Sequence, residues 1–70
     1  MNFFNRLTAQ KPGERIPFSR VPNGHMFYYA NDQWRKTPVG KGAISKLDGG
    51  FYVFNPNETV QYIGPSDGSF

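Results

Sequence analysis

Short runs of apolar and aromatic residues, some of them interleaved with polar residues, occupy the middle of the chain, and turn-forming residues separate the runs. Runs of this length and composition indicate β-strands. Residues 26–30 and 33–37 form two of these runs, with Asn31 and Asp32 between them. Both loop residues tolerate the positive φ that a two-residue hairpin loop needs. This pattern predicts a tight hairpin with Tyr29 opposite Trp34.

A second hairpin is predicted from residues 43–47 and 51–55, joined by residues 48–50. A two-residue loop would place the charge of Lys46 in the core, so the three-residue loop is favoured. That loop pairs Leu47 with Phe51 and Ser45 with Val53.

The Pro-containing turn at residues 55–58 leads into a further run at 59–63 and predicts a third hairpin, in which Val53 lies opposite Val60 and Phe51 opposite Tyr62. With an opening strand at 16–19, the chain holds five or six short strands. This number of strands predicts an all-β fold, a small antiparallel barrel that is SH3-like, with an OB-like barrel as the second choice. The predicted core is Phe18, Val21, Phe27, Tyr29, Trp34, Leu47, Phe51, Val53, Val60 and Tyr62.

The pattern divides the chain into an N-terminal arm (1–15), a small β-barrel (16–63) and a flexible tail (64–70). In the arm, Phe3, Phe4 and Leu7 have helical spacing and predict a short helix. A helix this short is marginal in water unless it packs on something. These three side chains are therefore expected to contact either the barrel or a partner.

Several residues follow a pattern similar to one in small proteins of tailed bacteriophages. The pattern opens with F-x-x-V-P-x-G-x-x-F, continues with W-x-K-T and closes with an alanine and a valine. Here it is carried by residues 18–27 and 34–37 and by Ala43 and Val60. The resemblance covers residues 18–60 and implies a viral accessory protein, with no catalytic residues.

Composition and charge narrow the function classes. The 70 residues contain no Cys and 7 Phe, 4 Tyr and 1 Trp, and the net charge is +3. Disulfides and thiolate zinc sites are therefore excluded. His25 is the single histidine, and no nucleophile or paired carboxylate stands out. We expect a protein that is not an enzyme, with no catalytic residue, metal, cofactor or small-molecule substrate. No apolar run is long enough to predict a membrane span or membrane contact.

Aromatic and basic residues are predicted together on the face opposite the core. The candidate partner-binding residues are Tyr28, Arg35, Lys46, Tyr52 and Phe54, and Lys36 and Lys41 are candidate contacts at the rim of this face. Such a mixture suits a protein interface, and it also suits base stacking and phosphate contact in nucleic-acid binding. A third interpretation is structural, with the arm covering the surplus aromatic rings.

The function predicted from these observations is that of a phage-encoded accessory protein that binds a host protein or enzyme and modulates it by occlusion. The partner is expected to be a host or viral protein, and the protein is expected in the host cytoplasm. Two alternatives stay open: a nucleic-acid-binding barrel, for single strands or without specificity, and a virion-associated decoration or tail component. Oligomerisation is compatible with each.

Overall fold

The computed structural model describes residues 11–66, which form one antiparallel sheet and a short 3₁₀ helix at Phe18–Arg20. The strands are β1 (Arg15–Pro17), β2 (His25–Tyr29), β3 (Asp32–Lys36), β4 (Gly42–Ser45), β5 (Phe51–Val53) and β6 (Thr59–Pro65). Their order in the sheet is β1-β6-β2-β3-β4-β5. The all-β, antiparallel prediction is confirmed. Within residues 11–66, β1 and β5 are the two edges and do not pair, so the sheet is open rather than a closed ring.

The first hairpin turns one residue earlier than predicted. Its loop is Ala30-Asn31, both at positive φ (53° and 61°), as a two-residue hairpin loop of this kind requires. Asp32 instead begins β3 opposite Tyr29, and its buried carboxylate accepts a hydrogen bond from the Ser45 hydroxyl. Trp34 therefore lies opposite Phe27, not opposite Tyr29. The shift is an even number of residues, so each side chain keeps its predicted face.

The second hairpin differs more, and its register prediction is wrong. Phe51 pairs with Ile44, not with Leu47, and the loop is longer than three residues. The Ser45 carbonyl accepts from the Gly49 amide, and the Ser45 hydroxyl accepts from the amide of Leu47. This compact turn places Leu47 in solvent. The pairing differs from the predicted one by an odd number of residues, which exchanges the two faces of β5.

The third predicted hairpin is also wrong, because β6 pairs with β1 and β2 and not with β5. After β5, the Phe54 side chain points into the core. The chain then passes from the β5 edge of the sheet to β6, which lies between β1 and β2. Backbone hydrogen bonds from Phe18 to the Glu58 carbonyl (2.7 Å) and from Ser19 to the Pro56 carbonyl (3.0 Å) hold this crossing against the 3₁₀ helix.

An aromatic cluster fills the core. Phe54 lies at its centre, with its ring stacked on Phe18 at 4.8 Å and edge-on to Phe27 at 5.3 Å and Trp34 at 4.9 Å. The other buried members are Ile16, Val21, Ala43, Val60 and Tyr62, with Tyr29 packed at the margin. Most of the predicted core is confirmed. The placement of Leu47, Phe51 and Val53 in the core is wrong, since their side chains are 79%, 47% and 73% exposed.

Candidate functional site

The face of the sheet that points away from this cluster, the outer face, carries a row of polar and aromatic side chains around Tyr28. Tyr28 lies opposite Gln61 on one side and Gln33 on the other. The Gln33 amide group is 3.4 Å from the Tyr28 hydroxyl. On the far side of Gln33 from Tyr28 lies Lys46, whose backbone N–H donates to the Gln33 carbonyl. Tyr28 is 45% exposed, so its ring is a ridge on this face.

Two shallow grooves lie on either side of Tyr28. The first, of about 400 Å³, is lined by residues that include Arg15, Thr59 and Gln61. The second, of about 390 Å³, includes Lys46 among its lining residues. Each groove thus combines the Tyr28 ring with amide groups and one cation, and the second also includes Asp32. Such a combination offers ring-stacking, hydrogen-bonding and ionic contacts on the same surface.

A second exposed area begins where the outer face reaches β5. Ile44 lies opposite Phe51 on this face, and Val53 is on the same side of β5. The Phe51 ring lies over Gly40 and Gly42, where an added Cβ would come within 2.7 Å of the Phe51 Cζ. The two glycines therefore provide the space in which the half-exposed ring rests. We call Ile44, Phe51 and Val53 the β5 patch.

The backbone of β5 leaves hydrogen-bonding groups at the open edge. Hydrogen bonds from Ser45 N to Gly50 O and from Phe54 N to Lys41 O lie just beyond its two ends. Because antiparallel ladders alternate, Tyr52 shares its backbone groups with β4, whereas Phe51 and Val53 direct theirs away from β4. The edge thus presents the N–H and C=O groups of two residues.

Three of the five candidate partner-binding residues lie on the outer face. Tyr28 and Lys46 are exposed there, and Arg35 is partly buried beside Ile44. Tyr52 is on the opposite face, with its ring edge-on to Trp34 at 5.3 Å. Phe54 is 7% exposed within the core, so its predicted outer-face position is wrong. Both differences follow from the odd shift in the second hairpin.

The two candidate rim residues have different surroundings. Lys36 is partly buried on the inner face, where its Nζ donates to the Phe18 carbonyl at 3.1 Å and lies 4.6 Å from the centre of the Phe18 ring. Burial lowers the pKa of Lys36. Lys41 is exposed at positive φ in the turn before β4. The arm residues Phe3, Phe4 and Leu7 lie outside the described residues.

The sequence placed Ile44 of the β5 patch on this face but missed Phe51 and Val53, and it also missed Arg15, Gln33 and Gln61 beside Tyr28. The signal for the patch was Ser45, three residues before Asp48, a spacing at which a serine hydroxyl accepts backbone N–H groups and closes a helical turn. A longer loop follows from such a turn, and with it the opposite face of β5.

Carboxylates in the described part of the chain are engaged in internal contacts. Asp48 accepts from the Tyr52 hydroxyl (2.6 Å) and the Gly50 amide (2.7 Å), which together lower the pKa of Asp48. Glu58 lies beside Tyr29 and raises the pKa of that phenol. Glu14 accepts from the Lys11 amide, and Asp32 from the Ser45 hydroxyl. The donors to Asp48 are neutral groups, so Asp48 keeps its negative charge and offsets part of the positive charge of the exposed Lys41 and Lys46.

His25 and the other polar core groups have structural partners. The His25 Nδ1 is 2.7 Å from the Tyr62 hydroxyl, and the two rings stack. Burial raises the pKa of Tyr62. Over residues 11–66, no group of three or more His, Cys, Asp or Glu side chains is arranged to hold a metal ion.

The same range contains no helix long and apolar enough to cross a membrane. The chain was compared with known protein families, curated proteins and solved structures, and none of the three comparisons found a match.

Proposed function

We propose that this protein binds a partner protein with the outer face of its sheet and modulates that partner by occlusion. The observation that carries the proposal is the set of exposed apolar side chains on this face, with Tyr28 on one side and the β5 patch on the other. Aromatic residues and arginine are enriched where protein interfaces bury their centres. Tyr28, Phe51 and the neighbouring Arg35 provide that composition.

The charge of the same face favours an acidic partner. The exposed Lys46 lines the second groove, and Arg15 lines the first groove. Complementary charge accelerates association and helps to select the partner. The resemblance to small proteins of tailed phages supports a partner among the proteins of a bacterial host, encountered in the host cytoplasm.

The test compares capture by the full chain with capture by a Tyr28→Ala, Phe51→Ala double variant from the same host lysate. A variant that loses partners but keeps its far-ultraviolet spectrum supports the proposal. Asn57→Ala, in the exposed turn before β6, is the matched control and should capture the same proteins as the unmodified chain. Identical capture by the double variant would refute the assignment of this face.

A second candidate function is binding of single-stranded nucleic acid, and the observation that favours it is Tyr28 between two grooves that each contain a cation. Bases stack on exposed aromatic rings while cations contact phosphates. Binding of an oligonucleotide would then weaken steeply as salt is raised, and Lys46→Ala would reduce the salt dependence. Absence of binding at low salt would exclude this function. A virion component, the remaining alternative, would be detected by mass spectrometry of purified particles.

A further inference from the structure

The two edges of the sheet differ in a way that matters for binding. At the β1 edge, Pro17 has no N–H to donate, and Arg15 carries a charge. Both features discourage pairing with another strand. β5 consists of Phe51, Tyr52 and Val53, without proline or charge, and all three residues are exposed. Among residues 11–66, its only neighbour in the sheet is β4.

From this edge we infer that β5 is a docking strand, to which an extended segment of a partner protein adds as a further antiparallel strand. The inference rests on the proposed function and specifies how the partner is held. The N–H and C=O groups of Phe51 and Val53 point away from β4 and would form the new ladder. Residues of the incoming strand that lie opposite Phe51 and Val53 share their face of the sheet.

Side chains on that face set the apolar part of the recognition. The Phe51 ring lies against Gly40 and Gly42, so part of its surface is already packed before a partner arrives. Preorganisation of this kind reduces the entropy lost on binding. Val53, two residues along the strand, extends the same apolar surface. An incoming strand with apolar residues at two alternate positions would cover both side chains.

The charged side chains at the two ends of β5 determine which charges the partner segment should carry. Lys41 is adjacent to the Phe54 end, where its carbonyl accepts the Phe54 amide, and Lys46 belongs to the loop at the Gly50 end. Asp48, the acid of that loop, accepts from Tyr52 and Gly50 and stays ionised, so the exposed Lys41 and Lys46 exceed it by one positive charge. Charge complementarity therefore commits the occupant to a segment with an acidic residue on each side of its apolar pair.

The test uses the isotope-labelled full chain and the synthetic peptide Glu-Thr-Val-Thr-Val-Thr-Glu, whose two Val and two Glu residues share one face of a strand. Amide resonances are followed by NMR during titration. We expect shifts at Phe51 and Val53, and amide exchange at these two residues slowed by about tenfold or more at saturation. The matched peptide with Lys in place of Glu should bind about tenfold more weakly.

Backbone pairing is separated from side-chain contact by two kinds of variant. Val53→Pro removes one outward N–H and no bond to β4, and should weaken binding about tenfold relative to Val53→Ala. In the peptide, N-methylation of the two Val amides, which face β5 in this pairing, should abolish binding. N-methylation of the central Thr, which faces away, should not. The peptide variants leave the fold of the protein untouched.

Each other outcome overturns the inference. Shifts centred on Tyr28 and insensitive to Val53→Pro would refute strand addition while leaving the proposed function intact. Protection of Phe51 and Val53 that rises with protein concentration without peptide would identify a second copy of this chain as the occupant. Absence of binding up to about 1 mM peptide would refute docking at β5. The proposed function fails separately, if the Tyr28→Ala, Phe51→Ala variant captures the same proteins as the unmodified chain.

Discussion

Replacement of Phe54 by Ala, compared with the same replacement of Phe51, tests the register of the second hairpin directly. Phe54 is 7% exposed and its ring contacts those of Phe18, Phe27 and Trp34. Truncating such a side chain leaves a cavity and costs about 3–5 kcal/mol. Phe51 is 47% exposed, so about half the transfer free energy of a Phe side chain is at stake, roughly 1–1.5 kcal/mol.

The free energy of unfolding of each variant is measured by urea denaturation followed through the Trp34 fluorescence. A domain of this length has a total stability of roughly 4–10 kcal/mol, so Phe54→Ala leaves little or none. Phe54→Leu, expected to cost about 1–2 kcal/mol, provides a folded variant at the same site. A larger loss for Phe51→Ala than for Phe54→Ala would refute the face assignment of β5. That result would instead support the pairing of Phe51 with Leu47 that was predicted from the sequence.

Three further predictions concern the turn and strands around this hairpin. Ser45→Ala leaves the buried Asp32 carboxylate without its hydroxyl donor and should lower the free energy of unfolding by about 1–3 kcal/mol in urea denaturation. Gly42→Ala brings a Cβ onto the carbonyl oxygen of Tyr52 and should cost about 1–3 kcal/mol in the same assay. Tyr52→Phe removes the hydrogen bond that most lowers the pKa of Asp48, so that pKa should rise toward its ordinary 3.8 in an NMR titration. Because the pKa of Asp48 is lowered in the folded state, the hydrogen bonds to its carboxylate stabilise the fold at pH values above the unfolded pKa of Asp48. This stabilisation is lost as pH falls through the folded value, so the stabilities of Tyr52→Phe and the unmodified chain should converge at low pH.

The parts of the fold that follow from local sequence were predicted. Asn31 and Gly24 mark turns, and the aromatic and β-branched runs between them form strands. The first hairpin kept its faces despite a wrong loop, because an even shift leaves each side chain on its side of the sheet. Phe27 and Trp34 were therefore placed correctly in the core.

The parts that depend on contacts between distant segments were not predicted. Ser45 at the end of β4 donates to the buried carboxylate of Asp32 at the start of β3, so the two hairpins meet at this contact. Each of these residues has an ordinary local explanation as a turn or strand residue, and no local pattern shows that they meet. The candidate site contains the same error. Tyr28 was correctly assigned to the outer face, but Phe54 was assigned there in place of Phe51.

The sequence by itself determined that this chain forms short antiparallel strands around an aromatic core, since strand periodicity and turn residues act over a few positions. Only the tertiary structure decided which aromatic residues occupy that core. The physical reason is that Phe51 and Phe54 are equally apolar, so that only the pairing of β5 with β4 and the rings packed around Phe54 distinguish them. As a result, Phe51 and Val53 lie exposed on an edge strand, where the addition of a partner strand can be measured.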